Sequence, residues 1–387
     1  MRHFIIQIIF IHLTFVIAAQ NSCIIPGASR TDQYFPLLKE KNIAIVANQT
    51  SMIGSTHLLD SLVTSGFRNI KIFSPEHGFR GVADAGEQVE SYIDKKTGIQ
   101  VLSLYGSHKT PDHEDMKGID YVVFDIQDVG VRFYTYTSTM HYLMEACAEN
   151  NIGMIVLDRP NPNGFYIDGP VLDTAFRSFV GMDPVALVHG LTIGEYAMMI
   201  NGEGWLKNRQ VCKLTVVPCL NYTHDSLYKL PVKPSPNLAS MNAIYLYPSL
   251  GLFEGTEMSI GRGTEFPYEV LGSPSGNESL FSFTPVPING MSRNPKFENT
   301  RCYGLDLRTA GINIIRNKEI NIQWLIDSYM QSSEKEIFFN PYFEKLAGTP
   351  VLREQVKSGL TVSQIRKSWK KELKHFKKMR KKYLLYE

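Results

Sequence analysis

Carboxylates set beside arginines and aromatic rings are the side chains of this sequence with chemistry to offer. Glu76 lies in Ser74-Pro75-Glu76-His77-Gly78-Phe79-Arg80-Gly81, directly after an apolar run, and Pro75 and Gly78 suit a fixed turn there. Glu87 follows in Ala83-Asp84-Ala85-Gly86-Glu87. Asp125 and Asp128 close a second apolar run, with Arg132 and Tyr134 just behind. A glycosidase needs a proton donor for the leaving oxygen and a second group that stabilises or attacks the anomeric carbon. Burial raises a carboxyl pKa and a nearby arginine lowers it. Glu76 beside Phe73 and Phe79 therefore reads as the acid, and Asp125 or Asp128 near Arg132 as the ionised partner, with Glu87 as a further candidate for the second carboxylate. A structural salt bridge between Glu76 and Arg80 is the competing reading of the same spacing.

Arg80, Arg132, Arg159 and Arg262 sit in glycine- or aromatic-rich loops, where a guanidinium suits bidentate recognition of a carboxylate or phosphate. Tyr105, Tyr134, Tyr136 and Tyr247 offer rings for a sugar face, although core packing explains any one of them as well. There is no Gly-x-Gly-x-x-Gly after a strand, no Walker-type loop, no Gly-x-Ser-x-Gly elbow and no His-Glu-x-x-His. Nucleotide binding, esterase and zincin chemistry lose their usual signatures. No cofactor and no resident metal are expected. Two other classes stay open: a non-catalytic binder of cell-wall sugars, and a metal-dependent hydrolase using His77, Asp125 and Asp128.

The elements that must position these residues alternate. Ile43–Ala47, Asn69–Phe73, Val101–Tyr105, Tyr121–Asp125 and Gly153–Leu157 read as short buried strands. Thr56 to Ser65 reads as a helix, and Met140, Leu143, Met144 and Cys147 form the apolar face of another. Such alternation predicts a doubly wound parallel sheet. Ligands bind beyond the carboxyl ends of such strands. Here those ends carry Asn48, Glu76-His77, Tyr105, Asp125-Ile-Gln127-Asp128 and Asp158-Arg159-Pro-Asn161. From Pro231 the texture turns loop-like, which puts the domain boundary near residue 240.

The chain has 387 residues and a formal net charge of +2, which gives no support to a general nucleic-acid binder. That total hides an uneven distribution. Residues 366–387 hold 10 basic and 2 acidic residues, and residues 20–365 hold 29 basic and 36 acidic ones. The last helix places Ile365, Trp369, Leu373, Phe376 and Tyr383 on one face, which is expected to dock on the C-terminal domain while the lysines face solvent. The lysines could also touch an anionic envelope surface. The first 19 residues, a short basic start and an apolar run ending at Ala18-Ala19, read as a signal peptide. They imply export, to the periplasm, with lipid attachment at Cys23 as an option. Cys212 and Cys219 have the opportunity to pair there.

Longer motifs sharpen this picture. Asn48-Gln-Thr-Ser51, the Ser74–Gly81 motif, Ala83–Glu87, Phe124-Asp-Ile-Gln-Asp-Val-Gly-Val-Arg-Phe-Tyr-Thr-Tyr136, Leu157-Asp-Arg-Pro-Asn-Pro-Asn-Gly164, Pro234-Ser-Pro-Asn237, Tyr247-Pro-Ser249, Phe253-Glu-Gly-Thr256 and Gly261-Arg-Gly-Thr264 occur in this order. The sequence closely resembles the NamZ family of exo-β-N-acetylmuramidases from about residue 40 to the end. The resemblance implies a Rossmann-like N-terminal domain (24–240) and a smaller α/β C-terminal domain (241–387), with the active site in the cleft between them. It implies release of N-acetylmuramic acid from the non-reducing end of MurNAc-GlcNAc saccharides derived from peptidoglycan. It points to Glu76 as catalytic, and it adds Glu254 to the residues expected to bind substrate. N-acetylmuramic acid carries a lactyl carboxylate, so Arg80, Arg132 and Arg262 are the candidates to read it.

Overall fold

The computed structural model describes residues 23–76, 78–79, 91–106 and 108–387. The expected signal peptide therefore lies outside the described residues, as do His77, Arg80 and Glu87. The core is a seven-stranded sheet in the order 213–217, 153–157, 121–125, 43–47, 70–74, 100–103, 92–93. Every pairing is parallel except that of Tyr92–Ile93 with Gln100–Ser103. All five residues of Ile43–Ala47 are buried, which explains a continuous apolar run rather than an alternating one. Ile43, Ile45 and Ala47 pack on one face with Leu58, Leu59 and Leu62 of the helix Leu58–Thr64. Ala44 and Val46 pack on the other face with Met140, Leu143 and Met144 of the helix Tyr136–Glu149. The period-two alternation of strand side chains thus feeds two helix layers.

Sequence expectation and structure differ at three places. The strand Lys213–Val217 forms the sheet edge; half exposed, it lacks the apolar run that marks the central strands. The helix expected from Thr56 begins at Leu58, because Thr56-His57 pairs antiparallel with Met52-Ile53. The C-terminal helix Val362–Arg380 also returns to the N-terminal half. Its Arg366 binds both carboxylate oxygens of Asp168 at 2.9 Å, while Ile365, Trp369 and Phe376 are buried. The chain end then threads along the sheet: Tyr383 donates to Glu203 at 2.6 Å and Tyr386 donates to Asp158 at 2.5 Å. The lysines of this helix face outward.

The C-terminal part carries a three-stranded antiparallel sheet, Val270–Ser273, Cys302–Asp306 and Phe281–Phe283, with several helices. All five cysteines are free thiols, so Cys212 and Cys219 are not joined. A hydrogen bond from the Cys147 S–H to Cys212, with burial, raises the Cys147 thiol well above its usual range.

Arg132 ties the two parts together. It is 1% exposed, and its guanidinium donates to the carbonyls of Pro170 (2.8 Å) and Val185 (3.0 Å), and of Leu346 (3.0 Å) and Ala347 (2.7 Å). Gly348, at φ +73°, lets the chain pass; a Cβ there would stand 2.5 Å from Arg132 Nη2. Replacing Arg132 by Ala strands these buried acceptors. The expected loss is about 3 kcal/mol or more in urea unfolding. A loss below about 1 kcal/mol would show that the clamp does not hold the two parts.

Candidate active site

Glu76 stands two residues past the end of the strand Ile70–Ser74, on the turn closed by Gly78 N–H donating to Pro75 O at 3.0 Å, with Gly78 at φ +79°. Its carboxylate is held by hydroxyls. Tyr105 donates to Oε1 at 2.9 Å and Thr135 donates to Oε2 at 2.8 Å. The flanking Phe73 and Phe79 are fully buried in the cores on opposite sheet faces. The surroundings of the carboxylate are thus more polar than the sequence suggested. Burial, then the Glu76 charge, raises the Tyr105 phenol.

Glu76 lines a cavity with Phe133, Tyr134, Thr135, Tyr136, Tyr247, Glu254, Arg262, Tyr268 and Tyr342 among its other walls. The aromatic rings interlock edge to face: Tyr134 with Tyr136 at 4.9 Å, Phe133 with Tyr247 at 5.1 Å, and Tyr247 with Tyr268 at 5.0 Å. Tyr134 donates to Pro234 O at 2.8 Å, so its hydroxyl is already used. On the same cavity, the turn Gly251–Gly255 and the loop after it bring Glu254 and Arg262 together. Arg262 Nη2 lies 3.3 Å from both Glu254 oxygens and donates to Tyr268 OH at 2.7 Å; Tyr268 in turn donates to Glu254 Oε1. Burial works against the Arg262 charge, but Glu254, Tyr268 and Tyr247 together outweigh it and the Arg262 pKa is raised. Tyr342 is pushed up to about 12, first by burial and then by the charges of Glu254 and Glu76.

The remaining candidates take framework positions. Asp125 is fully buried and holds Arg159 bidentately at 2.6 and 2.8 Å. Both of its oxygens are committed, which also removes it from a metal site with His77 and Asp128. Arg159 is spent on that pair, and Arg132 on carbonyls. Asn48 accepts from Thr50 and donates to Tyr136 OH at 3.0 Å, which reaches the cavity at second hand. Gln127 donates to Asp128 O and Pro160 O. Asn161 donates to Leu191 O and accepts from Asn163 N. Asp158 accepts from Gly194 N, Thr192 Oγ1 and Tyr386 OH, and burial pushes it up to about 7. The sequence reading missed Thr135, Tyr268 and Tyr342. Thr135 was within reach, since it follows the quoted Phe133-Tyr134; Tyr268 and Tyr342 carry no local signal.

The comparisons decide the family. A family model described as "Exo-beta-N-acetylmuramidase NamZ, N-terminal" matches residues 43–242, and its C-terminal counterpart matches 245–386. The chain belongs to the NamZ family. It is 40% identical over 375 residues to the peptidoglycan β-N-acetylmuramidase NamZ of Bacillus subtilis, covering 91% of this chain and 89% of that protein. A crystal structure of a DUF1343 family protein from Bacteroides fragilis is 48% identical, with a TM-score of 0.88, covering 95% of this chain and 99% of that one. A second from the same organism is 28% identical, with a TM-score of 0.79, covering 94% and 99%. The NamZ family assignment makes the chain a glycoside hydrolase and agrees with the parallel sheet and the smaller second part seen here.

Asp128 gives a separable test. It is buried, its Oδ2 accepts from Gly130 N at 2.6 Å, and its Oδ1 has no hydrogen-bond partner among the described residues. Burial pushes its carboxyl up to about 7, against the Gly130 and Val129 N–H groups that favour the charge. The stabilising effect of the protonated form is complete below the ordinary 3.8 and is lost as pH rises through about 7. Asp128→Asn keeps the Gly130 bond without a charge to bury. It should gain on the order of 2 kcal/mol over wild type between about pH 4 and pH 8 in denaturant unfolding. A pH-independent difference would refute the assignment.

Proposed function

We propose that this chain is an exo-acting β-N-acetylmuramidase that releases N-acetylmuramic acid from the non-reducing end of peptidoglycan-derived saccharides, with Glu76 as the proton donor. The observation that carries this is Glu76 itself: a carboxyl fixed by Tyr105 and Thr135 at the wall of an aromatic-lined cavity. Protonating the leaving oxygen relieves the developing alkoxide charge, and a placed carboxylic acid does this without a cofactor.

Arg262 supports the choice of sugar. Only its Nη2 is engaged with Glu254 and Tyr268 among the described residues, so the rest of the fork is open to the lactyl carboxylate. Arg80 is the second candidate for that contact. The reading of residues 1–19 as a signal peptide supports activity in the periplasm, with lipid attachment at the exposed Cys23 and contact of the outward lysines of the last helix with anionic envelope surfaces as parts of the same proposal.

Glu76→Gln should fold as wild type and lose at least ~100-fold in release of N-acetylmuramic acid from a MurNAc-GlcNAc substrate. Near-wild-type turnover would sink the assignment. Arg262→Ala should cut the preference for N-acetylmuramide over N-acetylglucosaminide by about 10-fold or more, read as the ratio of kcat/KM values. An unchanged ratio would remove Arg262 from sugar selection.

A further inference from the structure

We propose that Glu254 is the second catalytic carboxylate, presented from the C-terminal wall to carry negative charge against the anomeric carbon while Glu76 protonates the leaving oxygen. The inference rests on the glycosidase reading above and names the group that reading left open. Among the described residues that line the cavity, Glu254 and Glu76 are the two carboxylates. Asp125 is excluded by its bidentate hold on Arg159, and Asp128 by burial outside the cavity wall. Tyr342, on the same cavity, feels both Glu254 and Glu76, so the two charges face one space.

The surroundings of Glu254 hold its carboxylate in one direction. Tyr268 and Arg262 donate to the carboxylate and fix its direction. Tyr268 is itself wedged by Tyr247 at 5.0 Å and is 1% exposed, so the phenol has little freedom to swing away. Glu76 accepts from the Tyr105 and Thr135 hydroxyls. The two carboxyls of the cavity are thus held by donors from different parts of the chain, which fixes each from its own wall.

The step runs as follows. The C1–O bond breaks with its electron pair going to the glycosidic oxygen, and that oxygen takes the proton of Glu76. Positive charge develops on C1 and the ring oxygen, facing Glu254. Water then adds its oxygen to C1 and gives its proton to the ionised Glu76, which restores the resting enzyme. Glu254 stays a carboxylate throughout, and the sugar leaves with its β configuration retained.

Two substrates separate the roles: a MurNAc-GlcNAc disaccharide, whose leaving alcohol needs a proton, and 4-nitrophenyl N-acetylmuramide, whose leaving phenolate does not. Wild-type turnover of both establishes the glycosidase reading by itself. Glu254→Gln, which keeps the size of the side chain and an acceptor for Tyr268, should lose ~100-fold or more in kcat on both substrates. Glu76→Gln should lose far less on the nitrophenyl substrate than on the disaccharide. Tyr268→Phe, as a change to a positioning residue, should lower kcat on both with KM nearly unchanged. Proton NMR should show the β-anomer formed first. Glu254→Gln within about 5-fold of wild type on both substrates would overturn the proposal. So would a Glu254→Gln loss that the nitrophenyl group relieves, or the α-anomer appearing first. If Glu254→Gln does not fold, Glu254→Asp takes its place, and a shortened carboxylate with full activity would overturn the proposal equally.

Discussion

The Arg132 guanidinium sets the geometry of the site without touching it. Buried among carbonyls of Pro170, Val185, Leu346 and Ala347, it joins the N-terminal half to a helix end of the C-terminal half. The residues that follow it, Phe133 to Tyr136, form one side of the cavity, and Leu346 belongs to the other. A charge sealed in protein is costly unless its donors are used. Here the cost is offset by carbonyls that the chain would otherwise leave unpaired, and burial still lowers the Arg132 pKa to about 10. The cleft is therefore built around a strong, directional contact rather than around apolar packing alone.

The polar residues at the strand ends divide into two groups by depth. Asp125, Arg159, Asn48, Asp158, Asn161 and Gln127 lie beneath the surface and satisfy one another and the loop backbone. They hold the loops that carry function but do not reach the substrate space. Glu76 lies above them because Pro75 and Gly78 turn the chain outward directly after Ser74. Partners for Glu76 come from elsewhere: Tyr105 from beyond the neighbouring strand Gln100–Ser103, and Thr135 from the segment leading into Tyr136–Glu149. A fixed catalytic carboxyl needs this arrangement, in which rigid elements supply each contact.

How much of the site was legible varies by residue for a physical reason. Glu76 announced itself because its turn is local: proline, glycine and carboxylate lie within a few positions of a strand end. The parallel sheet was legible for the same reason, since buried central strands are continuous apolar runs, whereas the half-exposed edge strand Lys213–Val217 was missed. Asp125 and Asp128 looked equally chemical in the sequence, because an Asp that binds an arginine in the core and an Asp that meets a sugar share the same neighbours in the chain. Arg132 and Arg262 were likewise alike on paper. One is spent on carbonyls and the other borders the cavity, a distinction made by residues more than 200 positions away in the case of Leu346 and Ala347.

The amino-acid sequence by itself determined the strand–helix alternation, the polar strand ends, the turn that displays Glu76 and the family motifs, because these depend on residues close together in the chain. Tertiary structure alone decided which polar groups are framework and which are walls of the cavity. It also sent the basic C-terminal helix back to Asp168, and the chain end after it to Asp158, both in the N-terminal half. Pairing of buried charges is a matter of distance in space, and in water the same groups would have no preference strong enough to be read from order alone. Glu254 illustrates the point: only the folded chain sets it against Tyr268 and Arg262 on the same cavity as Glu76.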